Sequence, residues 1–328
     1  MAKITAPLMS LQARGSIGHG LTFSIRKSGQ QVRWQKRQKK SRPTPAQANQ
    51  RTLYLITLAH WLALSDAEKA EYNAKAAQEK VKLSGWNLFL QRALLSPIAY
   101  LGLAACYPLN ERSLTSIADL SKNDRTASFS PNYPSHTFTY EPGQNNKLPW
   151  SIQGNSQDNH IYAPVVPYLQ LGYTNNISVV VWINHPTTNV VSWGESIAGT
   201  YIAPPMRGFR FYLRGINDPA HTNRLTLEVG QGDSKGIAYY PVDSLADGKW
   251  HCVGFAWDRQ AFRRMFKDGV RILNYTTTLP DWDNTESPYM HFAGGLALST
   301  FIGRLSNILV YNRALTDTEM YYLYRVFI

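Results

Sequence analysis

Apolar and polar residues alternate on both sides of a short turn near the start of the chain. The segment LTFSI, residues 21–25, alternates with a period of two, and QVRWQ, residues 31–35, does so again. Ser28-Gly29 between them is a turn dipeptide, and this combination predicts a β-hairpin. Because two strands alone are only marginally stable in water, we expect the hairpin to need a partner.

A helical period follows the hairpin. Thr44-Pro45 supplies an N-cap and a proline at the first helical position, where a backbone N–H has no partner to lose. Tyr54, Leu58, Trp61 and Leu62 then recur at the spacing of one helix face. The pattern predicts a first helix that begins at Pro45.

Two further helices are predicted before the β-rich part of the chain. Ser65 and Glu68 form a capping box that opens a helix from Asp66 to about Lys82. A third helix carries an apolar face within residues 86–94, and Pro97 follows its end. Three short helices with small apolar faces indicate a compact bundle or a docking module for another chain.

From about residue 98 onward, strand-like runs recur between turns. Segments such as ISVVVWI, FRFYLRG and WHCVGFAW are short and rich in β-branched or aromatic residues. Asp247-Gly248 and Asp268-Gly269 are tight-turn dipeptides between such runs. Many short strands at this spacing predict a β-sandwich or barrel. Thr316 and Glu319 form a capping box for one closing helix.

These patterns divide the 328 residues into three segments. We predict a basic arm with a β-hairpin over residues 1–43, a small helical anchor region over 44–96, and a β-sandwich over 97–328. A hydrophobic content of 44% is sufficient for packed cores. The predicted fold class is therefore mainly β, with the arm and the three helices preceding an antiparallel sandwich.

Positive charge is concentrated at the start of the chain. Residues 1–50 contain ten Lys and Arg and no acidic residue, residues 51–100 contain six and four, and residues 101–328 contain eighteen of each. A block of like charge is typical of a segment that binds an anionic partner, the alternative being an arm that is merely solvated. The candidate anchor or anion-binding residues, one aromatic residue among them, are Arg26, Lys27, Arg33, Trp34, Lys36, Arg37, Lys39, Lys40 and Arg42.

Several classes of protein do not fit the sequence. Cys106 and Cys252 are too few for a disulfide framework and sit in apolar runs, so we expect two buried free thiols. No cationic start with an apolar core opens the chain, and we expect no secretory signal. The longest apolar run, Ile98–Pro108, is much shorter than the roughly 20 residues of a membrane-spanning helix. We therefore expect no membrane partner.

Four stretches in the β-rich part carry a family resemblance. They are AACYPLNERSLTSIADLSKN, NISVVVWI, DGKWHCVGFAWD with FKDGVRI, and FIGRLSNILVYNRALTDTEMYYLY. Together they resemble the laminin-G-like, concanavalin-A-like jelly-roll family over nearly all of residues 98–328. The resemblance implies a jelly-roll sandwich, a fold that hosts lectins, adhesion modules, hydrolases and spacers.

The resemblance also frames the candidate chemistry of the sandwich. Hydrolase members of that family place several carboxylates at alternate positions of one strand. Here RLTLEVGQGD offers only Glu228 and, beyond the strand, Asp233, so we expect no enzymatic activity and no catalytic residue. Trp193 and Trp282 are candidate glycan-stacking residues, with packing in the core or in a loop as the alternative.

Calcium is the one metal that the resemblance raises. Members that bind calcium use loop acids, whereas the closing strand here has Ser306-Asn307 at the place where acidic residues are common. Asp281, Asp283 and Glu286 in DWDNTE could supply the oxygen ligands, or they form a solvated loop. The His and Cys residues lack the spacing of a zinc site. Our main expectation is that the protein needs no cofactor.

The first 96 residues have resemblances of their own. The AKITAP leader, the GSIG and LTF segments of the hairpin, PTPAQ and the LS…EK run are similar to the N-terminal regions of tailed-phage and related virion proteins. WLALSDAEKAEYNAKAAQEK also resembles high-mobility-group boxes, although the segment most like their first helix, SGWNLFLQRAL, comes last here. These resemblances imply an anchor in the first case and DNA binding in the second.

The leading functional hypothesis is a virion structural protein of the capsid-decorating, head-fibre or minor capsid type. Residues 1–96 would dock onto acidic capsid or other virion proteins, and the sandwich would face outward and meet host-surface glycans. We expect it in the virion after synthesis in the host cytoplasm, as a homo-oligomer or part of a large assembly. The alternatives are a carbohydrate-binding lectin or adhesin and a nucleic-acid-binding protein that uses the basic arm.

Overall fold

The structure is a computed structural model that divides the chain into two units, Met1–Arg42 and Pro43–Ile328. It describes residues 15–17, 21–25, 31–35, 43–79, 83–111, 116–129, 138–154, 160–164, 176–186, 194–200, 206–232, 234–239, 244–276, 289–294 and 301–328. Statements about structure below refer to these residues.

The first unit contains a three-stranded antiparallel sheet. Its strands are β1 (Gly15–Ile17), β2 (Leu21–Ile25) and β3 (Gln31–Gln35), in that spatial order. The pairing of β2 with β3 confirms the predicted hairpin. β1 was not predicted, and it supplies the additional strand that a lone hairpin requires for stability.

The helices of the second unit begin where the caps predict. α1 (Pro45–Ala63) and α2 (Asp66–Gln78) each open with a capping box, formed by Thr44 with Gln47 and by Ser65 with Glu68. α2 ends about four residues earlier than predicted. α3 (Gly85–Leu95) follows as predicted. α4 (Pro97–Leu101) is a short helix that was not predicted. Pro97 ends the preceding helix, but a proline is also favourable at the first position of a new one.

The remaining chain forms two antiparallel sheets and a closing helix, α5 (Asp317–Phe327). The strands are β4 (Leu103–Tyr107), β5 (Ser116–Ile117), β6 (Ala127–Phe129), β7 (Phe138–Pro142), β8 (Trp150–Gly154), β9 (Ile161–Pro164), β10 (Ile177–Asn184), β11 (Gly194–Gly199), β12 (Met206–Arg214), β13 (Leu225–Gly232), β14 (Ser234–Tyr239), β15 (Trp250–Asp258), β16 (Phe262–Lys267), β17 (Val270–Tyr275), β18 (Tyr289–Phe292) and β19 (Arg304–Tyr311).

The order of the strands defines a sandwich. The first sheet runs β17-β16-β15-β10-β19-β8-β7, with β4 also paired to β19, and the second runs β14-β13-β12-β11-β18-β9-β6-β5. Strands that are neighbours in each sheet are often distant in the chain, as β10 and β19 are, which is the crossed connectivity of a jelly roll. The predicted antiparallel β-sandwich is confirmed.

The main core lies between the two sheets. Phe209 and Phe211 of the second sheet each contact Phe255 of the first edge to face, with ring centroids 5.2 and 5.3 Å apart. All three side chains are fully buried. Burial of aromatic side chains of this size contributes to the free energy that holds the sheets together.

A second core lies between the outer face of the first sheet and the helices. The ring of Trp182 on β10 packs 4.8 Å from that of Phe327 on α5, and Ile56 of α1 and Phe89 of α3 are buried in the same cluster. The helical segment and the sandwich thus share one core within the unit Pro43–Ile328. The predicted division at residue 96 stays a prediction.

A buried polar network fastens α1 to the closing helix. His60 donates from Nδ1 to Glu319 at 3.0 Å and accepts at Nε2 from the Tyr311 hydroxyl at 3.1 Å, the arrangement of a neutral imidazole. Arg313 donates to the same carboxylate at 2.9 Å. Burial raises the pKa of Glu319, but the hydrogen bonds from His60 and Arg313 outweigh it and hold that pKa well below its usual range.

The predicted turn and thiols agree with the structure. Asp268 and Gly269 both have positive φ, 53° and 75°, as a two-residue hairpin turn between β16 and β17 requires. Cys106 and Cys252 are free and buried, as predicted. In the described part of the chain, no helix combines the length and the apolar character needed to cross a bilayer.

Candidate functional site

The outer face of the second sheet carries a continuous row of paired residues. Reading across the strands, Ser128 pairs with Tyr162, Tyr162 with His291, and His291 with Gly199. The row continues from Gly199 to Arg210 and from Arg210 to Glu228. Directly opposed residues of antiparallel strands point to the same face, so this register places the side chains of Ser128, Tyr162 and His291, and beyond Gly199 those of Arg210 and Glu228, on the same side of the sheet.

The alternation of β9 and β18 decides which side chains reach that surface. Ile161 and Ala163 of β9 are buried in the main core, and the residue between them, Tyr162, points the other way. Met290 and Phe292 of β18 are likewise buried inward. Their neighbours Tyr289 and His291 are therefore held on the outer face by strands whose other side is anchored in the core.

Four rings gather at this place, and we call them the ring cluster: His160, Tyr162, Tyr289 and His291. The centroids of His160 and His291 are 5.1 Å apart, and those of Tyr162 and Tyr289 are 5.3 Å apart. Tyr289 is 41% exposed, whereas the other three rings are partly buried. The cluster presents an aromatic surface to a ligand with polar edges around it, a composition common at small-molecule sites.

The His291 imidazole is held neutral at ordinary pH by its surroundings. Burial, together with the nearby His160, lowers the pKa of His291 to about 4. The Nδ1 atom of His291 is buried and has no hydrogen-bond partner among the described residues. A neutral imidazole donates one hydrogen bond and accepts one, but the buried Nδ1 atom is out of reach of a ligand, which leaves Nε2 as the nitrogen of His291 for a ligand hydroxyl group.

A charged network continues the row on β12 and β13. Arg210 donates to the Glu228 carboxylate at 2.6 Å, and the Tyr212 hydroxyl donates to the same oxygen at 3.0 Å. Arg214 in turn donates to the Tyr212 hydroxyl at 2.7 Å. Burial and the Glu228 carboxylate raise the pKa of Tyr212, so its hydroxyl remains a donor. These contacts fix the polar end of the row.

The number of carboxylates near Glu228 determines whether the row could cleave a glycoside by the usual two-carboxylate mechanism. Enzymes that cleave glycosides flank the bond with two carboxyl groups, about 5 to 10 Å apart depending on mechanism. The row described above contains a single carboxylate, Glu228, and both Arg210 and Tyr212 bind the same one of its oxygens. The other half of such a pair predicted from the sequence, Asp233, lies outside the described residues.

Most of the predicted site residues also lie outside the described residues. Trp193, Trp282, Asp281, Asp283 and Glu286 do, so the glycan-stacking tryptophans and the calcium ligands stay predictions. Of the candidate anchor residues of the arm, the structure describes the backbone of Arg33 and Trp34 in β3. The others lie outside the described residues: Arg26, Lys27, Lys36, Arg37, Lys39, Lys40 and Arg42.

Two observations concern metals within the described part of the chain. No group of three or more His, Cys, Asp or Glu side chains there is arranged to hold a metal ion. Ser306 and Asn307 of the closing strand are buried, and the Ser306 hydroxyl donates to the Trp150 carbonyl at 2.8 Å. Asn307 has a positive φ of 43° at a bulge in β19. This pair is used for strand packing.

The strands that carry the ring cluster, β9 and β18, are not predicted by the sequence patterns. HIYAP and YMHF are too short, and too rich in His and Pro, to stand out as strands. Their alternation was nevertheless present, since apolar Ile161 and Ala163 flank Tyr162, and Met290 separates Tyr289 from His291. Two such segments with aromatic residues on the alternate positions could have indicated a shared aromatic face.

Comparison with known families agrees with this architecture. The family model of the concanavalin A-like lectin/glucanases superfamily (Laminin G 3) matches residues 153–320, which is more than half of the chain. The chain belongs to this superfamily. A search of curated proteins finds no sequence that matches it.

Solved structures extend the likeness of fold. The binding domain of Paraclostridial Mosquitocidal Protein 1 has a TM-score of 0.54 and 15% identity, with 68% of this chain and 51% of that chain covered. Domain 4 of AbnA, an arabinanase of Geobacillus stearothermophilus solved in complex with arabinotriose, has a TM-score of 0.51 and 16% identity, with 67% and 97% covered. The binding domain of botulinum neurotoxin DC in complex with SialylT has a TM-score of 0.51 and 12% identity, with 69% and 51% covered.

The similar structures differ in how much of their own length this chain covers. The present chain spans about half the length of the two toxin binding domains and nearly all of the arabinanase domain. At these identities the likeness concerns the fold of the sandwich alone.

Proposed function

We propose that the sandwich is a carbohydrate-binding domain that holds its ligand on the ring cluster and does not cleave it. The observation that carries the proposal is the gathering of Tyr162, Tyr289 and two imidazoles on the outer face of the second sheet. A sugar ring has one face of C–H groups, which packs on an aromatic ring, and a rim of hydroxyl groups, which needs hydrogen-bond partners. The Nε2 atom of His291 and the hydroxyl groups of the two tyrosines are the polar groups of the ring cluster proposed as such partners.

Two of the similar structures support this choice of ligand. The arabinanase domain, nearly all of which this chain spans, was solved with arabinotriose, and the neurotoxin DC domain was solved with SialylT. The absence of catalysis is supported by the single carboxylate in the row, since acid and nucleophile must both be present for glycoside cleavage. Neither calcium nor another cofactor takes part in the proposed binding.

The test is oligosaccharide binding by the full chain, with arabinotriose and the SialylT oligosaccharide as first probes and a glycan array to widen the search. Replacing both Tyr162 and Tyr289 by Ala should weaken binding at least tenfold, about 1.4 kcal/mol, because the stacking surface is lost. Tyr321→Ala is the matched control, since Tyr321 is 43% exposed on α5 at the helix-covered side. Absence of any binding, with and without calcium, contradicts the proposal, and release of arabinose from the probe contradicts its non-enzymatic part.

A second proposal concerns the first unit. We propose that residues 1–43 anchor the protein to a virion, with the sandwich displayed as a decoration or fibre domain. The observation in favour is the charge of that segment, because ten Lys and Arg without an acid within residues 1–50 select an anionic surface. The sheet β1-β2-β3 belongs to a unit of its own, as a separable anchor requires.

Deletion of residues 1–43 tests the anchor. The truncated protein should no longer co-purify with particles, and unchanged incorporation contradicts the proposal. If the segment binds packaged nucleic acid instead of capsid protein, affinity for duplex DNA should fall steeply with salt, since each neutralised phosphate releases counterions. A flat salt response removes nucleic acid as the partner.

A further inference from the structure

A groove lies beside the first turns of α1, on the helix-covered side of the protein. Its volume is about 390 Å³, and its lining comes from α1 and from the turn between β7 and β8. The lining residues are Gln50, Arg51, Tyr54, Leu55, Asn146 and Lys147. None of them belongs to the ring cluster, so the groove is independent of the proposed carbohydrate site.

The turn that forms one wall is held in place by Asn145. Its Oδ1 atom accepts hydrogen bonds from the backbone N–H groups of Lys147 at 2.7 Å and Leu148 at 3.0 Å. Its Nδ2 atom donates to the Phe327 carbonyl at the end of α5, at 2.9 Å. Lys147 therefore projects from a turn that is tied to the closing helix, which limits the freedom of its backbone.

The helix that forms the other wall is equally fixed. Leu53 and Ile56 of α1 are buried and hold the helix against the protein, which leaves Arg51 and Tyr54 on its other side. Tyr54 is 43% exposed and meets the ring of Trp86 edge to face, with centroids 5.9 Å apart. The groove thus has a positioned aromatic wall that remains accessible to a partner.

The charge of the groove is one-sided. Arg51 and Lys147 form no ion pair with any described residue, and no carboxylate lies among the lining residues. Elsewhere on the surface arginines form ion pairs, as Arg264 and Arg271 both do with Asp317. Two cations beside an apolar wall, without a counter-charge of their own, are complementary to a ligand that combines an acid with an apolar group.

We propose that this groove binds an acidic peptide segment of a partner protein. A carboxylate side chain of the peptide pairs with Arg51 and Lys147, and a neighbouring apolar side chain packs on Tyr54 and Leu55. The apolar lining favours a peptide over a sugar, since a sugar would need more hydrogen-bond partners there. Tyr and Arg side chains are among the residues that contribute most at protein interfaces, and here Tyr54 is exposed and Arg51 partly buried.

The direct test maps where an acidic peptide binds on the full-length chain. The probe is a decapeptide of Glu residues with one photoreactive benzoylphenylalanine, compared with the same peptide in which Ser replaces every Glu. Mass spectrometry after irradiation should find cross-links of the acidic probe in residues 50–55 and 146–147, and far fewer with the Ser peptide. Cross-links confined to residues 1–42 overturn the proposal, because the basic segment would then be the acceptor instead of the groove. The absence of any cross-link overturns it as well.

Variants make the test quantitative. Replacing Arg51 and Lys147 together by Gln should reduce the groove cross-links at least tenfold and leave those on residues 1–42 unchanged. Lys249→Gln is the matched control, because Lys249 is an exposed cation far from the groove in the sequence and absent from its lining. Equal loss in the control, or block of the groove cross-links by tri-galacturonate but not by unlabelled acidic peptide, overturns the proposal; the second outcome would assign the groove to an acidic sugar.

Discussion

The two outer faces of the sandwich differ in what covers them. On the first sheet, β10 reads ISVVVWIN, and both sets of its alternating side chains are buried, one between the sheets and one under the helices. On the second sheet, β12 buries Phe209, Phe211 and Leu213 between the sheets, and its other side carries Arg210 and Tyr212, which bind Glu228 in a polar network where Tyr212 is also buried. A continuously apolar strand indicates that both faces of its sheet are packed against apolar groups, whereas an alternating strand indicates that one face carries polar groups.

The difference between the two outer faces suggests that one contributes mainly to stability and the other to ligand binding. On the helix-covered face His60 binds Glu319 and Tyr311, although the buried Nε1 atom of Trp182 has no hydrogen-bond partner among the described residues. The other face keeps Tyr289 exposed and leaves His291 with an unused nitrogen. Changes on the first face should therefore act mainly on the free energy of unfolding, and changes to the ring cluster mainly on ligand affinity.

The largest expected effect comes from the core under the helices. Phe327→Ala should lower the free energy of unfolding by about 3–5 kcal/mol, because it empties a fully buried site beside Trp182. Tyr289→Ala on the other face should lower it by about 1 kcal/mol or less. Urea unfolding followed by tryptophan fluorescence measures both. Equal losses would show that the two faces contribute alike and would remove the contrast.

The next largest expected effect is the pH dependence of the free energy of unfolding that His291 of the ring cluster causes. The pKa of His291 is about 4 in the folded protein and ordinarily 6.5, so the unfolded chain takes up a proton first as the pH falls. The stability is complete above pH 6.5 and should decrease by up to about 3 kcal/mol between pH 6.5 and pH 4. His291→Gln should remove this part of the acid loss, measured as unfolding free energies at several pH values.

His60 provides the internal comparison for that experiment. Burial also lowers the pKa of His60, on the helix-covered face, so part of the acid loss must remain in the His291 variant. A variant that loses the same stability as the parent protein between pH 6.5 and pH 4 would contradict the role assigned to the ring cluster.

Local patterns were sufficient to predict the elements with strong caps or strong periodicity. Thr44, Ser65 and Thr316 begin helices as predicted, because a side-chain oxygen that accepts from an N–H two or three residues on is decided within a few residues. Long apolar strands such as β10 and β15 were also predicted, because their runs of β-branched and aromatic residues are likewise a local pattern. The resemblance to the jelly-roll family then supplied the arrangement of the sheets, which no local pattern contains.

The candidate site could not be predicted in the same way. Tyr162 and Tyr289 are far apart in the chain, and their contact depends on the pairing of β9 with β18, two four-residue strands with weak patterns. The tryptophans proposed for stacking were chosen by residue type alone. The groove at Arg51 and Lys147 depends likewise on the long-range hydrogen bond from Asn145 to Phe327.

The smallest expected effect sharpens the comparison, because it has the opposite pH dependence. His251 of the first sheet lies between Asp268 at 2.7 Å and Asp247 at 3.1 Å. Burial opposes its charge, but the two carboxylates outweigh burial and raise the pKa of His251. Its contribution is therefore present below pH 6.5, the ordinary value, and is lost as the pH rises through the folded value.

His251→Gln should accordingly lower the free energy of unfolding by about 1 kcal/mol at pH 5.5 and by less at pH 8.5. His291→Gln, measured beside it, should have the reverse order, with its benefit at the lower pH. One histidine on each sheet would then report its own surroundings, paired carboxylates in one case and crowded rings in the other. If both variants changed stability in the same direction with pH, the electrostatic contrast between these two histidines would be wrong.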